Sequence, residues 1–127
     1  MKLTFENGEV AEVGADSDFR ELLDALNPST NPFAILSRSD NFYMQTLYTG
    51  SGYELEKRDG NAGAHFVAAR ISSSDRPIQI GKWWQFWKDN RRRDEFTLNE
   101  IADQFSNFVS GGKNDADLKW VKLEFNS

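Results

Sequence analysis

Cysteine is absent from this 127-residue chain, and histidine occurs once, as His65. The first absence excludes a disulfide framework and any thiolate metal site. The second removes the two-histidine zinc motifs, and together they close the Cys/His route to nucleophilic catalysis. No uninterrupted apolar run approaches the ~18 residues of a membrane-spanning helix. The opening Met1-Lys2-Leu3-Thr4-Phe5-Glu6-Asn7-Gly8 has no apolar run of the length a signal peptide needs, and charges arrive at once. There is no Gly-x-Ser-x-Gly elbow to strain a serine, and Gly50-Ser51-Gly52 lacks the lysine and following helix of a phosphate-binding loop. The acids Asp59, Asp75, Asp89, Asp94 and Asp115 lack the spacing that wraps calcium. Paired carboxylates for glycoside hydrolysis meet in space rather than in sequence. Glu54 and Glu56 share one strand face, but a charged, solvated face accounts for them more simply. The expectation is a non-enzymatic, cytoplasmic protein with no cofactor and no metal.

What is present is a globular composition. Hydrophobic residues make up 39% of the chain, with ten phenylalanines, which is too apolar for a disordered segment. The length suits one domain over residues 1–127. Twenty acids against fifteen bases leave a net charge of −5, which argues against a general nucleic-acid binder.

Lys2–Phe5 and Glu9–Val13 flank Asn7-Gly8, a dipeptide that tolerates positive φ at both turn positions, so a hairpin is expected. Phe19, Leu22, Leu23 and Leu26 recur at i, i+3, i+4 and i+7, predicting a helix over 18–26 capped by Asp16 or Ser17 and ended by Asn27-Pro28. Strands are expected over 32–38, 42–50, 53–58 and 64–72. Their separators are too short for a crossover helix, so the four should form an antiparallel meander. Thr97-Leu98-Asn99-Glu100 is a capping box, with Phe96 placed to staple onto Ile101 and Gly111-Gly112 to stop the helix. Residues 118–125 read as a last strand, apolar on both faces as an inner strand would be. The fold class is therefore α+β: a single antiparallel sheet of six or seven strands with two amphipathic helices packed on one face.

Two stretches hold candidate recognition residues. In "GKWWQFWKDNRRRDEF", Trp83, Trp84 and Trp87 stand beside Arg91, Arg92 and Arg93, and no single surface can bury all the rings. Three readings stay open: a connection packed by its own rings, a protein-binding surface built from Trp and Arg, or a single-strand nucleic-acid site with rings stacking bases. The second stretch, "FYMQTLYTGSGYELEKR", sets Tyr43, Gln45, Tyr48, Tyr53, Glu54 and Glu56 on adjacent hairpin strands, where tyrosines beside carboxylates would suit a basic partner.

The arrangement carried by "FYMQTLYTGSGYELEKRDG", "WWQFW", "TLNEIADQFSNFVSGG" and "LKWVKLEF" resembles the Imm1-like immunity proteins of bacterial polymorphic toxin systems. The resemblance implies inhibition of a cognate toxin by direct binding, without catalysis. It extends over most of the chain as an arrangement and assigns no contact residue. An acidic inhibitor would suit a basic toxin, since charge complementarity steers such encounters. An exposed edge strand would also permit dimers, and the sequence leaves monomer and dimer open.

Overall fold

The computed structural model describes residues 1–60, 65–70, 78–80, 94–111 and 118–125, with side chains as far as Lys122 in the last stretch and backbone alone over 78–80. Eight strands, β1 (Lys2–Phe5), β2 (Val10–Glu12), β3 (Phe33–Ser39), β4 (Phe42–Tyr48), β5 (Tyr53–Asp59), β6 (His65–Arg70), β7 (Ile78–Ile80) and β8 (Leu118–Phe125), join two helices, α1 (Phe19–Leu23) and α2 (Leu98–Ser110). The strands form one sheet in the order β2-β1-β3-β4-β5-β6-β8-β7. Seven of them pair antiparallel, and the meander β3-β4-β5-β6 lies at the centre as the short separators require. The α+β class stands, with one addition the sequence did not suggest. Three-residue β7 pairs in parallel with β8 at the sheet edge.

Both helices pack into one core with one face of the sheet. Phe19 and Leu23 of α1 and Ile101 and Phe105 of α2 meet Leu3, Phe5, Ala34, Leu36, Met44, Leu55 and Ala68 from the strands. Phe19 and Phe105 touch edge to face, with ring centroids 5.7 Å apart and planes at 84°, the geometry that aromatic quadrupoles favour. The capping box of α2 forms as its sequence predicts, and Phe96 and Ile101 are both buried beside it. Gly111 ends the helix at φ 75°, a left-handed conformation that a residue with Cβ adopts at a cost.

Local details depart from expectation where side-chain hydrogen bonds compete with periodicity. The first helix spans Phe19–Leu23 rather than 18–26, and its cap is Asp18, whose carboxylate accepts from the amides of Arg20 and Glu21. Ser17 instead accepts from the Gly14 amide. Asn27 opens its own turn, with Oδ1 taking the amides of Ser29 and Thr30 and its backbone pairing with Asn31. Between Asp18 and Asn27, Asp24 N–H bonds Glu21 C=O and Leu26 N–H bonds Leu23 C=O, tighter three-residue turns that end the helix early. At the first hairpin only Gly8 has positive φ, at 94°. Gly8 N–H donates to Phe5 C=O and Phe5 N–H to Glu9 C=O, giving a three-residue loop rather than a two-residue turn.

Register fixes which side chains share the face away from the helices. One row runs Thr4, Ile35, Gln45, Glu56, Val67, Val121 across β1, β3, β4, β5, β6 and β8. Gln45, Glu56, Val67 and Val121 are all buried, although none belongs to the helix-side core. Leu118 and Val121 are buried on opposite faces of β8, as an inner strand demands.

Candidate functional site

Trp83, Trp84, Trp87, Arg91, Arg92 and Arg93 lie outside the described residues. Of the second candidate set, the structure brings four residues, Tyr43, Gln45, Glu54 and Glu56, to one face and sends Tyr48 and Tyr53 to the other. Tyr43 faces Arg58, Glu54 faces Leu47 and Glu56 faces Gln45, all on the side away from the helices. Tyr48 points to the helix side, where its ring stacks on Tyr53 at 4.6 Å. The period of two along β4 makes this split unavoidable, since Tyr43 and Tyr48 are five residues apart. Glu56 also overturns the expectation of a solvated acidic face. Its side chain is 2% exposed, and Gln45 Nε2 donates to its Oε2 at 3.1 Å. A buried carboxylate needs hydrogen bonds of this kind to offset its desolvation.

Two residues further along the same strands, on the same face, is a polar row of Tyr43, Arg58 and His65, side by side on β4, β5 and β6. All three are half-buried. Burial pushes the Tyr43 phenol above its ordinary value, with Arg58 opposing the shift. Burial likewise lowers His65, and the positive charge of Arg58 lowers it further. At ordinary pH the row holds one cation between two neutral rings, and no nucleophile sits beside a base within it.

One concavity among the described residues was not anticipated. It is a groove of about 590 Å³ between β2 and α1, lined by Phe5, Glu9, Val10, Ala11, Glu12, Ser17, Asp18, Glu21, Leu22 and Ala25. Phe5, Leu22 and Ala25 supply its apolar floor, Glu9, Glu12, Asp18 and Glu21 its rim, and no lysine or arginine lines it. Glu9, Glu12 and Glu21 make no ion pair; the neighbouring bases Lys2 and Arg20 are exposed and do not bridge to them. The signal was present in the sequence. From Glu9 to Asp24 the chain carries Glu9, Glu12, Asp16, Asp18, Glu21 and Asp24 with Arg20 as the one base. Periodicity drew attention to the apolar stripe of this stretch and away from its charge.

A clasp holds the chain where it re-enters the described structure before α2. Arg70 N–H donates to Asp94 Oδ2 at 2.7 Å, and its guanidinium bonds Glu100 Oε2 at 2.7 Å, Glu100 Oε1 at 2.9 Å and the Glu95 carbonyl at 3.1 Å. The same guanidinium lies 4.7 Å from the Phe96 ring centre. The Glu95 carboxylate accepts from Thr49 and Ser51 in the β4–β5 turn. These contacts fix the start of α2 against β5 and β6.

Among the described residues no group of three or more acids or histidines is gathered to hold a metal, and no helix is long and apolar enough to cross a membrane. The chain matches no protein-family model, no curated protein and no solved structure.

Proposed function

We propose that this chain is a non-catalytic protein-binding domain that acts in the cytoplasm as an immunity protein, neutralising a basic bacterial toxin by direct contact. The observation that carries the reading is the β2–α1 groove. Three of its four rim carboxylates, Glu9, Glu12 and Glu21, have no cation of the chain's own to pair with. Carboxylates left in this way around an apolar floor attract a cationic surface and supply the area to hold it. The net charge of −5 adds long-range steering toward the same kind of partner.

The test is capture from nuclease-treated lysate of the source cells by wild type beside Glu12→Lys/Glu21→Lys, followed by expression of the captured protein. A basic protein held by wild type, lost by the folded variant, and arresting growth unless wild type is co-expressed supports the reading. Capture of nothing, or of a protein whose expression is harmless, overturns the immunity assignment. Capture that is indifferent to the charge reversal overturns the groove as its seat.

A further inference from the structure

We infer that the β2 edge receives an extended, basic segment of the partner as an added ninth strand, lying in the groove beneath α1. The inference rests on the basic-partner reading above and specifies how that partner is held.

The sheet ends at β2. Phe5 N–H donates to Glu9 C=O and Val13 N–H to Met1 C=O, so Glu9 and Val13 turn their backbone groups toward β1. In an antiparallel pair the inward residues alternate. Ala11, opposite Leu3, therefore also faces β1, while Val10 and Glu12 present N–H and C=O outward along the free edge. Neither residue has another bonded partner in the chain. The edge carries no lysine and no proline; its short length and Glu12 discourage a like-charged copy but leave it open to a basic segment. Val10 stands 57% exposed beside it, a β-branched side chain of the kind that packs against a neighbouring strand.

The space next to this edge is shaped for a strand. Asp18, Glu21, Leu22 and Ala25 recur at i, i+3, i+4 and i+7 along α1 and the turn after it, and all line the groove. They line one side of the groove, apolar at Leu22 and Ala25 and acidic at Asp18 and Glu21, while β2 lines the other. A strand paired to Val10 and Glu12 would set alternate side chains over the small Ala11 and the apolar floor, with Glu9, Asp18 and Glu21 within reach of any lysine or arginine it carried. Main-chain bonds then give affinity, and the alternate side chains give specificity. A second copy of this chain is the wrong occupant. Pairing β2 with β2 would bring two acid-rimmed grooves together, with like charges facing.

The probe is the peptide acetyl-Lys-Val-Arg-Val-Lys-amide, compared with acetyl-Lys-Pro-Arg-Pro-Lys-amide, which keeps the charge but lacks the N–H groups that bond β2 when the basic side chains enter the groove. Binding is followed by amide-resolved NMR at low salt, on wild type and on Val10→Pro, which removes an outward N–H and leaves the β1 pairing intact. The expected result is that the valine peptide shifts the Val10 and Glu12 amides, and that either proline change weakens binding about tenfold. Equal binding of the two peptides to wild type overturns strand addition and leaves the basic-partner reading standing, whether or not Val10→Pro folds. No binding of either peptide overturns both. Concentration-dependent shifts at β2 without any peptide would make a second copy the occupant and also overturn the inference.

Discussion

Replacing Arg70 by methionine keeps the aliphatic stem and removes the guanidinium that ties β6 to the start of α2. Three contacts are lost. The two-pronged ion pair with Glu100 joins side chains that are 39% and 29% exposed, so solvent screens it to about 0.5–1 kcal/mol. The cation over the buried Phe96 ring, 4.7 Å away, is worth a similar ~0.5–1 kcal/mol. The hydrogen bond to the Glu95 carbonyl adds about 0.5–1.5 kcal/mol. Arg70→Met should therefore cost about 2 kcal/mol in urea unfolding with an unchanged m-value. Glu100→Gln separates the terms, because its amide oxygen can still accept from Thr97 N–H, which Glu100 Oε1 meets at 2.9 Å, while the charge and the Oε2 acceptor for Arg70 are lost. A double-mutant cycle should give a coupling of about 0.5–1 kcal/mol between the two sites. The hydrogen bonds from Arg70 are the largest cause holding the Glu100 carboxyl below its ordinary range. A carboxyl depressed in the folded state adds stability above its unfolded pKa and loses it as pH falls through the folded value. The gap between wild type and Arg70→Met should thus be full at neutral pH and shrink in acid. A cost below about 0.5 kcal/mol at pH 7, or strict additivity in the cycle, would refute the clasp.

Three further outcomes are expected. Phe105→Ala empties a fully buried site and breaks the contact with Phe19, so it should lower stability by about 3–5 kcal/mol in the same assay, with Phe105→Leu well below that. Gly111→Ala should cost about 1 kcal/mol, read as a lower melting temperature, because alanine must adopt φ near 75°. His65, the chain's one histidine, has its pKa lowered by burial, so its neutral form adds stability above the unfolded value near 6.5, and this is lost as pH falls through the folded value. Ring-proton NMR should show titration below the free-histidine midpoint, and His65→Gln should flatten the stability slope across that window.

How much of this was legible in the sequence follows from the range of the forces involved. The capping box at Thr97 and Glu100, the apolar stripe of α2 and the short separators between β3, β4, β5 and β6 are local signals, and each element formed where they stand. The length of α1 was misread because after Leu23 the chain tightens to three-residue bonds, Asp24 N–H to Glu21 C=O and Leu26 N–H to Leu23 C=O, which keep the apolar residues on one side without continuing the helix. Glu56 was misread for a different reason. Alternation tells which residues share a face, and Glu54 and Glu56 do share one, but it cannot tell that this face is covered at its centre. The parallel pairing of β7 with β8 joins segments about 45 residues apart, beyond anything a short window carries. The groove needed α1 and β2 to be set side by side before its acids became a rim.

The two faces and one edge of the sheet together narrow where the proposed partner could engage. Helices cover one face, so Leu36, Met44 and Leu55 are spent on the core. The other face buries Gln45, Glu56, Val67 and Val121 at its middle, so the Tyr43–Arg58–His65 row borders a covered patch rather than an open platform. Tyr48 and Tyr53 are likewise engaged with each other and against the core. A recognition surface built from the central hairpin would have to uncover side chains that already stabilise the fold, and that reversal costs several kcal/mol before any contact is gained. The β2 edge asks for no such rearrangement. Its outward backbone groups, its exposed valine and the rim acids Glu9, Glu12 and Glu21 have no cation or strand of the chain's own, so the binding proposed there would begin from a surface the folded chain has left ready.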